Sequence, residues 1–162
     1  MTLTRHHGGW VIATSFVLAM ILTAMPVPGW ALNWRPAWVA MVLIYWCFAL
    51  PERVGVGVGW ILGLLLDVLT GTLLGQNAAA LSIVAFVAVK THQRIRMFPL
   101  WQQAILVFFM LLLNQLFMAW VRGIMGLPTL SLTFWAPALT SMLLWPWLFV
   151  ILRDLRRRYH VT

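Results

Sequence analysis

The sequence predicts an all-α integral membrane protein of six transmembrane helices, with both termini in the cytoplasm. Three observations predict it: the apolar excess, the length of the uncharged runs, and the uneven placement of the basic residues. Of 162 residues, 63% are hydrophobic and 9% charged, and the mean hydropathy is +0.93. A soluble domain averages about 25% charged and about 45–50% apolar residues. A small domain also leaves much of its surface exposed, so lipid is the solvent for most of this chain. Residues 6–34, 97–121 and 123–152 contain no Lys, Arg, Asp or Glu, and each run exceeds the roughly 20 helical residues that cross a bilayer core. The alternation of a β-barrel is absent. Backbone groups in hydrocarbon find partners only within their own segment, so these spans are helices.

The breakers divide the chain into one transmembrane domain, residues 1–162, with spans near 10–25, 36–50, 54–70, 74–90, 100–121 and 133–152. The first follows Arg5 and resembles a signal peptide. No small-x-small cleavage site follows in Met25-Pro26-Val27-Pro28-Gly29, so it reads as an uncleaved span, ended by its prolines. Pro36 suits the first position of the second helix, and Pro51-Glu52-Arg53 makes the turn after it. At about 22 Å this span is shorter than the bilayer, and thinning of the bilayer or shielding by other helices must accommodate it. Residues 54–89 hold one charge, Asp67. As one helix they would extend about 54 Å, so they are two helices broken at Gly71 and Gly75-Gln76-Asn77. A basic loop over 90–98 is closed by Pro99, a loop with Gly126 and Pro128 follows the fifth helix, and the sixth is expected to kink at Pro146.

The basic residues orient the bundle. Inside fall Arg5, Arg53, Lys90, Arg94, Arg96 and a basic tail of Arg153, Arg156, Arg157 and Arg158; outside fall only Arg35 and Arg122. That excess is the one the positive-inside rule demands. Ring-plus-donor side chains prefer the interfaces: Trp10, Trp101, Trp145 and Trp147 fall near the inner one, and Trp30, Trp34, Trp38, Trp120 and Trp135 near the outer. Trp46 and Trp60 lie deeper and are expected between helices.

The same placement excludes other classes. A net charge of +8 suggests nucleic acid, but such modules interleave basic and aromatic residues on a soluble surface. Here the charges lie between spans, so no nucleic-acid partner is expected. Cys47 is the lone cysteine and reads as a packing residue. His6, His7, His92 and His160 have no zinc-like spacing to another ligand, and no nucleophile, base and acid can be assembled at one depth. No catalytic residue, metal site or cofactor is expected, and the chain reads as a non-enzyme.

Two constellations stand out. Gly55, Gly59, Gly63, Asp67 and Gly71 recur every four residues, each step turning about 40° past a full revolution. The four glycines form a slowly winding stripe suited to close helix packing or to a partner contact. Asp67 is the one acid well inside a span, about 21 Å outward from Arg53. Burying a carboxylate there costs about 2.5–3.5 kcal/mol at the bilayer centre, so it faces protein or water. Arg35, Asn77, Asn114, Gln115 and Arg122 are the other groups of that outer half. Together they offer either an outward polar pocket or a salt bridge from Asp67 to Arg35 or Arg122 that locks the bundle.

Several strings carry a family resemblance: Arg35-Pro36-Ala37-Trp38-Val39, Tyr45-Trp46, Leu50-Pro51-Glu52-Arg53-Val54-Gly55-Val56-Gly57-Val58-Gly59, Asp67 with Gly71 and Leu74-Gly75, Leu100-Trp101-Gln102-Gln103-Ala104, and Trp145-Pro146-Trp147. Along nearly the whole chain they resemble the MreD family of bacterial rod shape-determining membrane proteins. The resemblance implies a non-enzymatic scaffold of the cell-elongation machinery in the inner membrane, supporting peptidoglycan synthesis. It implies partners too: the MreC transmembrane helix, with the MreB filament and the RodA–class B penicillin-binding protein synthase as the wider complex, in contact with membrane lipids. It further implies a fold similar to the S-components of energy-coupling-factor transporters. The alternative is thus an S-component-like small-molecule binding subunit, with its pocket near Asp67.

The topology is testable directly. Alkaline phosphatase fused after Thr162 is expected to be inactive, and fused near Gly29 or Pro128 to be active. An active C-terminal fusion in a stable full-length protein would reject six spans.

Overall fold

The computed structural model describes residues 9–25, 38–49, 54–71, 75–95, 97–126 and 136–158. Arg5, Arg35, Arg53, His6, His7, His160, Trp30, Trp34 and Trp135 lie outside the described residues, as do the breakers at 26–29, 51–53 and 128. The described chain is all helical: α1 (Gly9–Ala24), α2 (Trp38–Ala49), α3 (Val56–Thr70), α4 (Gln76–Ile95), α5 (Leu100–Ile124) and α6 (Ala136–Arg158). By length and composition, α5 and α6 are each able to cross a membrane.

The bundle is built around its shortest helix. Every residue of α2 from Val39 to Phe48 is buried, against α4, α1, α6 and α5. A helix that is apolar all round is stable only when enclosed, and α2 at about 18 Å is enclosed by its neighbours. Cys47 is fully buried within it. The helices around α2 each turn one stripe inward: Val11, Ile12, Phe16 and Ala19 from α1, Ala104, Val107 and Leu111 from α5, and Ala138, Ser141, Trp145 and Leu152 from α6. Their spacing is that of one helical face.

Several polar side chains in these apolar helices are satisfied close to home. Thr14 donates to Trp10 O at 2.6 Å, and Thr23 to Ala19 O at 2.8 Å. Ser15 donates to Ile12 O at 2.6 Å and accepts the Trp46 indole N–H at 2.9 Å. A buried indole donor needs such a partner, and this bond ties α1 to α2. On another side of the same end of α2, Tyr45 meets Trp46 and Phe149 edge-on, with centroids 5.2 and 5.5 Å away, and Phe48 meets Trp145 at 6.2 Å.

Three expectations are corrected. Trp60 does not pack between helices but is 52% exposed: its neighbour Gly59 faces α4, and one residue along a helix turns about 100° away. Trp145 lies fully buried against α2. The expected basic loop at 90–98 is helical to Ile95, so Lys90, His92 and Arg94 ride the last turns of α4, where cations complement the carbonyl end of the helix dipole. The expected basic tail is likewise helical, with Arg156, Arg157 and Arg158 in the last turn of α6. That helix also runs through Pro146 as one element.

Candidate functional site

α3 and α4 pack against each other, and the described chain between them holds two glycines of positive φ. Gly71 (φ 71°) ends α3 in the left-handed conformation, its N–H donating to Asp67 O, and Gly75 (φ 98°) precedes α4. This conformation disfavours any residue with a Cβ. Gly75 also has no side chain with which to cap the helix it introduces. The first N–H groups of a helix have no partner within it, and in a water-poor bundle each orphan costs free energy comparable to a lost hydrogen bond.

Asp67 supplies the acceptors. Its Oδ2 accepts the Gly75 N–H at 2.8 Å. Its Oδ1 accepts the Asn77 N–H at 2.9 Å and the Asn77 side-chain amide at 2.8 Å. The side chain is only 1% exposed. A carboxylate acceptor on both oxygens suits this set of N–H donors, and its negative charge sits at the positive end of the α4 dipole. Asp67 thus closes one helix with its backbone and opens the next with its side chain. Charge-assisted hydrogen bonds of this kind contribute roughly 1.5–3 kcal/mol each.

Below that cap the two helices touch backbone to backbone. A Cβ added at Gly59 would stand 2.9 Å from Leu81 O and 3.2 Å from Ala85 Cβ; one added at Gly63 would overlap the Ala78 backbone and lie 2.6 Å from Asn77 C. Small residues at this spacing permit such an approach, and Ala78, Ala85 and Ala88 keep the facing side of α4 small. Gly71 has nothing within 4 Å of where a Cβ would stand, so its part is conformational. Gly55 sits just before α3 in extended backbone.

Of the outer polar residues, Asp67 and Asn77 are brought into direct contact. Asn114 and Gln115 lie half-buried on α5, a helix that packs chiefly on α6 and α4. The Asn114 side-chain oxygen is buried without a hydrogen bond among the described residues. Arg122 lies half-buried in the last turn of α5, and Arg35 is outside the described residues. The capping role was absent from the sequence reading. Its signal is a side-chain-less Gly75 at a helix start within apolar sequence, which obliges some other residue to supply the acceptors.

A family model described as rod shape-determining protein MreD matches residues 4–155. The chain is similar to the rod shape-determining protein MreD of Haemophilus influenzae, 33% identical over 156 residues that cover 96% of each chain. No solved structure matches it.

The close approach makes two glycine substitutions diverge. Gly63→Ala is expected to destabilise by about 1–3 kcal/mol, the usual cost of overpacking, because the overlap is with backbone that cannot rotate away. Gly57→Ala meets nothing within 4 Å and is expected to be neutral or to stabilise by about 0.5–1 kcal/mol through helix propensity. Thermal unfolding of both variants in mild detergent checks this, and equal behaviour would contradict the packing.

Proposed function

The chain belongs to the MreD family of rod shape-determining proteins, and we propose that it serves there as a non-enzymatic scaffold of the cell-elongation machinery. In this reading all six helices cross the inner membrane with both termini in the cytoplasm. The scaffold binds the transmembrane helix of MreC. Through that contact it joins the MreB filament and the RodA–class B penicillin-binding protein synthase, supporting peptidoglycan synthesis and rod shape.

The observation that supports this most is the family match across nearly the whole chain. Two features of the fold lend further support. The polar side chains of Thr14 and Ser15 on α1 and Asp67 on α3 are turned onto their own or adjoining helices, as helices in hydrocarbon require. The outer faces carry large apolar groups instead, such as Val17, Leu18 and Ile21 on α1 and Leu143, Trp147 and Ile151 on α6. Such faces suit lipid tails or another apolar helix. The transporter-subunit reading leans on Asp67, but three donors already engage that buried carboxylate, so it draws less support.

Depletion of the protein in a rod-shaped host is expected to round the cells while leaving vitamin uptake intact, and MreC is expected to co-purify stoichiometrically in mild detergent. Normal rods with a specific uptake defect would overturn the scaffold reading.

A further inference from the structure

The last turns of α6 border a polar cavity that the scaffold role leaves unused. It has a volume of about 360 Å³ and lies between α2, α5 and α6, walled by Tyr45, Phe48, Gln103, Phe149, Arg153 and Arg156. Phe149, Arg153 and Arg156 fall at i, i+4 and i+7, one face of the helix. Arg157 and Arg158 are exposed instead. The four arginines are therefore two pairs with different surroundings, although the sequence presents them as one cluster.

Among the described residues, the inward pair has one carboxylate near it, that of Asp154, and no acid lines the cavity. The Arg153 guanidinium lies 5.9 Å from the Phe149 ring centroid, and its Nε is buried without a hydrogen bond among the described residues. The carboxylate of Asp154 is 4.0 Å away on an exposed side chain, beyond hydrogen-bond reach. The neutral wall is held in place: Tyr45 by its edge contacts to Trp46 and Phe149, Gln103 by its amide donating to Phe98 O at 3.2 Å. An ion pair at 4.0 Å to an exposed carboxylate compensates a half-buried guanidinium only in part, and an anion between the two arginines offsets the remaining cost.

The planar guanidinium matches phosphate oxygens two at a time, and the volume lies within the range of small-ligand sites. Basic pockets between transmembrane helices at the membrane surface are suited to lipid headgroups. We propose that this cavity binds the phosphate of an anionic membrane lipid, held between Arg153 and Arg156 with the Tyr45 hydroxyl and the Gln103 amide at its wall. The proposed orientation serves only to place the lipid in the cytoplasmic leaflet; binding in detergent does not depend on it.

The test uses the full-length chain in a neutral detergent, titrated with phosphatidylglycerol, phosphatidylcholine or inorganic phosphate, and read by native mass spectrometry and by the unfolding midpoint. Phosphatidylglycerol is expected to bind saturably and raise the midpoint. Arg153→Gln and Arg156→Gln are each expected to weaken it roughly tenfold, the usual worth of one charge-assisted contact. The double variant Arg157→Gln, Arg158→Gln removes more charge and is expected to bind as wild type. Arg153→Lys, which keeps the charge but not the fork, guards against a folding defect and is expected to fall between. Equal weakening by the outer double variant would overturn the site in favour of diffuse attraction. Equal binding of phosphatidylcholine, or a full midpoint shift from inorganic phosphate, would overturn the anionic-lipid assignment. MreC co-purification from the same variants reads the scaffold role separately, so either proposal can fail alone.

Discussion

In the α3–α4 hairpin, one carboxylate meets a need that the hairpin itself creates. A helix that starts five residues after another leaves its first N–H groups without partners of its own, here with the Gly75 amide half-buried and that of Asn77 buried. Asp67 satisfies the Gly75 and Asn77 N–H groups from the preceding helix, and so lets α4 begin there. The glycines below then act on what the cap has set. With the helix ends pinned, Gly59 and Gly63 permit a backbone contact along Leu81, Ala85 and Ala78. Charge and small size are thus two parts of one device: a bulkier stripe would hold the amides away from the carboxylate, and an uncapped end would leave the contact without an anchor.

The rest of the bundle leans on that hairpin. α3 packs chiefly on α4, whereas α4 also packs on α2 and α5. The small residues of α4, Ala78, Ala85 and Ala88 among them, are buried. α2 is too short to meet lipid along a full bilayer and depends on this enclosure. Its ties on the other sides are of a different kind, an indole-to-hydroxyl bond to α1 and aromatic edges to α6. The bundle therefore joins a close, small-residue contact on one side to large interlocking rings on the other.

Much of this was legible from the apolar runs and their breakers. Helical class follows from the absence of water for the backbone, and proline and glycine punctuation sets the six segments. The ends of helices were less legible: residues 90–95 and 153–158 read as loop and tail because they are charged, yet charge does not end a helix and favours its C-terminal turn. Trp60 misled for a related reason. Its depth was read from position along the helix, while its direction is fixed by Gly59 beside it, which turns toward α4. At the candidate site, the sequence identified Asp67 and the glycine stripe but not what Asp67 holds. A search for opposite charges finds arginines; the structure's acceptor-poor amides belong to the backbone and have no side-chain signature.

The most direct measurement is amide hydrogen exchange at Gly75 and Asn77 in the full-length protein in mild detergent, compared with Asp67→Ala. Helix N-terminal amides ordinarily exchange quickly, because they lack partners within the helix. If Asp67 caps α4, both amides exchange in the wild type as slowly as those in the middle of the helix, and both lose that protection in the variant while α5 keeps its own. Rapid exchange at both positions in the wild type, or protection that survives in a folded Asp67→Ala protein, would contradict the central role given to this carboxylate.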